Sequence, residues 1–91
     1  MSQQSRLVRY SGDVQGVGFR YTAMRLAEQF DVTGYVRNLP NGQVELLAEG
    51  SPEQVEAFLE AIREQMGQYI QNVQQTDHPP TGQYHSFNIR H

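Results

Sequence analysis

Hydrophobic and polar residues follow two different periods along this chain, and the switches between them mark the elements. Leu7-Val8-Arg9-Tyr10 mixes β-branched and aromatic residues with arginine and runs into Gly12, which predicts a first strand. From Ala23 the apolar positions fall at Ala23, Leu26, Ala27 and Phe30, the spacing of one helical face. That helix is expected to stop near Asp31, a residue that tolerates the left-handed conformation. Tyr35 to Leu39 and Gln43 to Glu49 then read as two strands around Pro40-Asn41-Gly42, and Asn-Gly between such runs is a strong hairpin signal. Val44, Leu46 and Ala48 alternate with Glu45, Leu47 and Glu49, so this strand is expected to have one clearly apolar face.

Ser51-Pro52-Glu53-Gln54 has the serine, proline and glutamine of a capping box. Behind it Val55, Phe58, Leu59, Ile62 and Met66 trace a helical stripe, with Glu56, Glu60, Arg63 and Glu64 facing outward, and Gly67 is expected to supply the stop. Gln68 to Gln83 is polar and loop-rich, although Ile70 and Val73 suggest a fourth strand. Phe87 and Ile89 alternate with Ser86, Asn88 and Arg90 in a short last strand. A β-α-β-β-α-β order predicts an α+β, ferredoxin-like split sandwich, with two helices on one face of an antiparallel sheet. Tyr10, Phe30, Phe58 and Phe87 are the aromatic candidates for its core.

Composition narrows the function. With 91 residues and no internal repeat, residues 1–91 are expected to form a single domain. The absence of cysteine excludes disulfides, thiolate metal sites and cysteine nucleophiles. The opening residues, Met1 to Arg6, lack the apolar stretch of a secretory signal, and no apolar run is long enough to span a membrane, so a cytoplasmic protein is expected. Ten acids face seven bases, a net charge of −3, and every base is arginine. Without lysine there is neither a Schiff-base lysine nor a Walker-type phosphate loop. An acidic domain with scattered arginines is a poor grip for a long polyanion, which depends on neutralising many phosphates. A single small anion at one focused site suits it better.

Gly12-Asp13-Val14-Gln15-Gly16-Val17-Gly18-Phe19-Arg20 supplies such a site. Gly16 and Gly18 allow successive backbone N–H groups to point into one concavity, and the helix that follows adds its unpaired amides and the positive end of its dipole. Arg20 adds a planar fork that can take two phosphoryl oxygens. Tyr21 occupies the place where a dinucleotide fingerprint starting at Gly16 needs its third glycine, so nucleotide binding is disfavoured.

Two stretches carry a family resemblance. Gly12-x-Val14-Gln15-Gly16-Val17-Gly18-Phe19-Arg20 resembles the first signature of the acylphosphatases, and Gly34-Tyr35-Val36-Arg37-Asn38 with Gly42-x-Val44 and Gly50 resembles the second. The resemblance covers essentially the whole chain. It implies the same sandwich fold and hydrolysis of the carboxyl–phosphate anhydride of an acyl phosphate to a carboxylate and inorganic phosphate, with no metal or cofactor. It implies that Arg20 holds the phosphate within the amides of Gln15, Gly16, Val17, Gly18, Phe19 and Arg20, and that Asn38 orients the attacking water. Partners implied are the small acyl phosphate itself and, as product-like ligands, inorganic phosphate or sulfate, acting on a monomer without nucleic acid or membrane.

Other residues have plainer readings. Asn38 near a hairpin could instead bond turn backbone, Arg37 reads as a solvated strand arginine, and Gln15 is expected to work through its backbone amide. Tyr21 is expected to pack more than to line a pocket. His78, His85 and His91 have no acid or cysteine at ligand spacing. The competing reading is a ferredoxin-like binding module for single-stranded RNA or a small anion. The RNA version needs aromatic residues on its inner strands and finds little besides Tyr35. A third reading is a phosphate-anion or carbamoyl-phosphate-handling domain that resembles the enzyme but acts within a larger maturation machine, for which a longer chain is expected.

Overall fold

The computed structural model describes residues 3–91. Strand β1 (Gln4–Gly12) leads through a glycine-rich loop into helix α1 (Phe19–Ala27), followed by β2 (Val32–Asn38), β3 (Val44–Gly50), helix α2 (Pro52–Met66), β4 (Ile70–His78) and a short β5 (Phe87–Ile89). The sheet order is β4-β1-β3-β2-β5. Every pairing is antiparallel except the last, in which β5 runs parallel to β2. The expected split sandwich is therefore present, and its fully antiparallel sheet is corrected at one edge. Among the described residues no helix is long and apolar enough to cross a membrane.

The core lies between sheet and helices. Val8, Tyr10, Val36, Val44, Leu46 and Ala48 meet Phe19, Ala23, Ala27, Val55, Phe58 and Ile62 there, all buried. Phe58 and Phe87 pack edge to face with centroids 5.1 Å apart. Phe30 only leans on this cluster, half-buried. β3 departs from its expected one-sided pattern: all seven residues are buried, Glu45 and Glu49 included. It is the central strand, and on the side away from the helices residues 81–84 and several arginines cover it.

Local punctuation also differs in detail. α1 ends at Ala27, four residues before Asp31, and no residue other than glycine has a positive φ, so Asp31 is not a left-handed cap. The Ser51 hydroxyl accepts from the Gln54 amide at 3.3 Å, but the Gln54 side chain accepts from the Asp31 amide at 2.8 Å rather than closing the box. Gln54 thus ties the end of the α1–β2 turn to the start of α2. Gly67 is the C-cap at which α2 stops, as expected, but it stays right-handed and opens a 3₁₀ turn, Gly67–Tyr69. In the hairpin only Gly42 is left-handed, with φ 92°, which makes a three-residue loop closed by Leu39 N–H to Gln43 O at 2.8 Å.

Candidate active site

The β1–α1 loop is held by its ends. Val14 and Phe19 are buried, and Phe19 meets the Tyr10 ring at 4.9 Å. Asp13 N–H donates to Tyr69 O at 2.9 Å. Between these anchors the chain bends at Gly16 and Gly18, with φ of 80° and 79°. Side chains pay a steric cost at such angles, which glycine avoids. A Cβ at either position would meet nothing within 4 Å, so the glycines serve the backbone conformation rather than a tight fit. The reverse holds at Gly34 on β2, where a Cβ would run into the carbonyl of Leu47.

Across the loop stands the β2–β3 hairpin, and one side chain locks the two together. Gln15 Nε2 donates to both Leu39 O and Gln43 O, each at 2.8 Å. A second tie runs from Gln43 Nε2 to Ser11 Oγ at 2.8 Å. Asn38 ends β2, one residue before the carbonyl that Gln15 grips. The Gln15 side chain therefore sets the distance between loop and Asn38, leaving its backbone amide free of that task.

α1 starts earlier than its apolar stripe implied. Gly18 is the N-cap residue, so Phe19, Arg20 and Tyr21 occupy the first helical turn. Thr22 N–H is the first to find an intrahelical partner, Gly18 O at 2.9 Å. The amides of residues 15–20 have no hydrogen-bond acceptor among the described residues. Helix geometry leaves the first-turn donors in this state and aligns the dipole's positive end with them.

These parts surround a concavity of about 170 Å³, lined by Val14, Gly16, Gly18, Phe19, Arg20, Tyr21, Asn38, Ile89 and His91. Of the residues singled out in the sequence, Gly16, Gly18, Phe19, Arg20 and Asn38 share this wall. Gln15 and Val17 do not: the first reaches to the hairpin, and the second packs against the core. Two wall residues had other expectations. Tyr21 is 57% exposed rather than packed. His91 brings Nδ1 to 3.5 Å from Arg20 Nη1. Nothing local in the sequence marks His91, because β5 delivers it from the far end of the chain. His78 and His85 lie elsewhere, and no cluster of three metal-ligating side chains occurs among the described residues.

Arg37 is not free in solvent. Its Nε donates to Glu45 Oε1 at 2.9 Å, and Arg9 Nε and Tyr35 Oη bond the same carboxylate at 3.2 and 2.9 Å. Burial pushes the Glu45 carboxyl up, but these three donors outweigh it and hold it below the usual carboxylate value. Burial and the Glu45 carboxylate push the Tyr35 hydroxyl up to about 12. The Arg90 guanidinium sits 4.1 Å from the centre of the Tyr35 ring and Tyr84 packs at 6.0 Å, so the aromatic surface that RNA stacking would need is already covered.

Comparisons with known proteins agree with this architecture. The family model Acylphosphatase matches residues 7–89. An acylphosphatase of Yersinia pseudotuberculosis is 43% identical over 82 residues, covering 88% of each chain. The crystal structure of acylphosphatase from Bacillus subtilis superposes with a TM-score of 0.84 at 30% identity, covering 99% of this chain and 100% of that one. The structure of HypF from T. kodakarensis contains the same fold as 12% of its length, at 30% identity, a TM-score of 0.83 and 97% coverage of this chain. Both signature stretches, Gly12 to Arg20 and Gly34 to Gly50, fall inside the matched residues, and with the shared fold they place this chain in the acylphosphatase family.

Proposed function

We propose that this chain hydrolyses the carboxyl–phosphate anhydride of small acyl phosphates, releasing a carboxylate and inorganic phosphate. The observation that carries the reading is the convergence of Arg20, unpaired first-turn amides and Asn38 on one concavity. An acyl phosphate has a good leaving group, because a carboxylate needs little help from an acid. What the reaction demands is positioning and charge stabilisation. Arg20 and the loop amides of the residues on this wall, Gly16, Gly18, Phe19 and Arg20, bind the phosphoryl oxygens and neutralise the charge that spreads over them as the P–O bond breaks. Asn38 accepts from and donates to a water, aligning it with that bond. Its amide is too weak a base to take the proton, which passes to the substrate phosphate. Residues 1–91 act as one domain and as a monomer in the cytoplasm, with inorganic phosphate or sulfate as competing ligands, and no step calls on a metal or cofactor.

The test is direct. Pure protein is incubated with benzoyl phosphate in EDTA while the ultraviolet absorbance is followed. Rapid loss of the anhydride, competitively slowed by inorganic phosphate, is the expected result. Absence of turnover would overturn the reading.

A further inference from the structure

Among the described residues only Tyr21 and Val73 are large hydrophobic side chains left exposed, at 57% and 38%. Val73 lies on the edge strand β4. Tyr21 lies on the first turn of α1, directly after Arg20, and shares the wall of the concavity with Arg20 and Asn38. α1 buries Ala23, Ala27 and Phe19 against the core, so nothing in the packing of the helix uses the Tyr21 ring. The Arg25 guanidinium, one turn further on, lies 5.9 Å from the ring centroid and braces it. The lining thus divides by chemistry. Glycine amides, Arg20 and Asn38 offer polar groups, whereas Tyr21 and Ile89 offer apolar surface beside them.

We propose that Tyr21 is the specificity-determining residue for the acyl half of the substrate, and that the site favours aromatic or bulky apolar acyl phosphates over acetyl phosphate. This rests on the acyl phosphate reading above. With the phosphoryl group on Arg20 and the loop amides, the acyl substituent begins just across the bridging oxygen and runs along the adjoining wall. An aromatic acyl group gains a ring-on-ring contact with Tyr21, a gain on the order of 2- to 10-fold in affinity. Acetyl has too little surface to share it.

The test compares benzoyl phosphate with acetyl phosphate on the wild type, Tyr21→Ser, Tyr21→Phe and, as a control away from the concavity, Val73→Ser. Two ratios are read: kcat/KM for the substrates, and affinity for benzoylphosphonate over acetylphosphonate, which cannot be hydrolysed. Both ratios are expected to fall roughly 3- to 10-fold in Tyr21→Ser and to stay within about twofold in Tyr21→Phe and Val73→Ser. Unchanged ratios in Tyr21→Ser overturn the proposal. Failure of the acyl phosphate reading looks different, since the wild type then turns over neither substrate. The phosphonates still decide, because a wild type that binds both equally overturns the role of Tyr21.

Discussion

On the sheet face away from the helices, Glu49 accepts from Thr81 N–H, Thr81 Oγ1, Gly82 N–H and Ser5 Oγ at 3.0, 2.9, 3.2 and 3.2 Å, and Glu45 is bound by Tyr35, Arg37 and Arg9. In the β1–α1 loop the amides of residues 15–20 have no acceptor among the described residues, and Arg20 has only the long contact to His91. Both regions are rich in hydrogen-bonding groups and sit on the same sheet. They differ in whether those groups face one another. Buried carboxylates must be matched within the protein, because desolvation is otherwise too costly. Exposed donors at a helix start can stay unmatched and remain able to stabilise a developing negative charge. The dense polar network near the second signature is therefore scaffold, and the sparse one near the first carries the unmatched donors on which the proposed site rests.

Arg20→Gln separates the two regions most sharply. It should lower kcat/KM on benzoyl phosphate by about 10³-fold, the scale of an arginine on a transferring phosphoryl group. Thermal stability should hardly change, since among the described residues Arg20 makes no ion pair and only the long contact to His91. A variant that keeps near-normal kcat/KM would sink its assignment. Next in size, Asn38→Ala should cut kcat about 10²-fold, as for one lost positioned group, while competitive inhibition by inorganic phosphate persists. Loss of both together would make Asn38 a binding or structural residue.

The scaffold side predicts the opposite pattern. Glu45→Ala leaves Tyr35 Oη without its acceptor and should cost about 1–3 kcal/mol of stability, measured by urea unfolding, with far less effect on kcat. Glu45 and Glu49 are both held below their ordinary carboxylate values, in each case because hydrogen bonds outweigh the upward push of burial. The unfolded chain therefore takes up protons first as pH falls. Stability should be full above the ordinary value of 4.5 and decline as pH drops below it through the folded-state values. The Glu45→Ala variant should show a shallower acid decline. An equal decline would mean that this carboxylate carries no acid sensitivity.

The elements and the two signature stretches could be read without coordinates, because each depends on neighbours close in sequence. The α2 stripe from Val55 to Met66, the Ser51 cap and the hairpin at Pro40 to Gly42 are of this kind. The start of α1 was harder to read. Phe19 looks like part of a glycine loop, yet its burial against Tyr10 pulls the helix start back to it. Glu45 and Glu49 read only as the face opposite the apolar one, whereas the hairpin neighbour Arg37 with the distant Arg9 for one, and the distant Thr81 and Ser5 for the other, bind them where they are buried. His91 at the pocket was missed for the same reason, whereas Tyr21 was weighed for the pocket and expected to pack instead.

By itself the sequence determined the order of elements, the glycine-hinged loop, and the presence of Arg20 and Asn38 as candidate chemistry. Those features rest on local backbone preference and short-range periodicity, which need no knowledge of distant contacts. Only the tertiary structure decided that the Gln15 side chain clamps loop to hairpin, that Tyr21 stays exposed at the wall, and that β5 runs parallel to β2 and carries His91 to Arg20. Each of these depends on which segments meet in space. That choice is made by burying one shared core, and no local pattern encodes it.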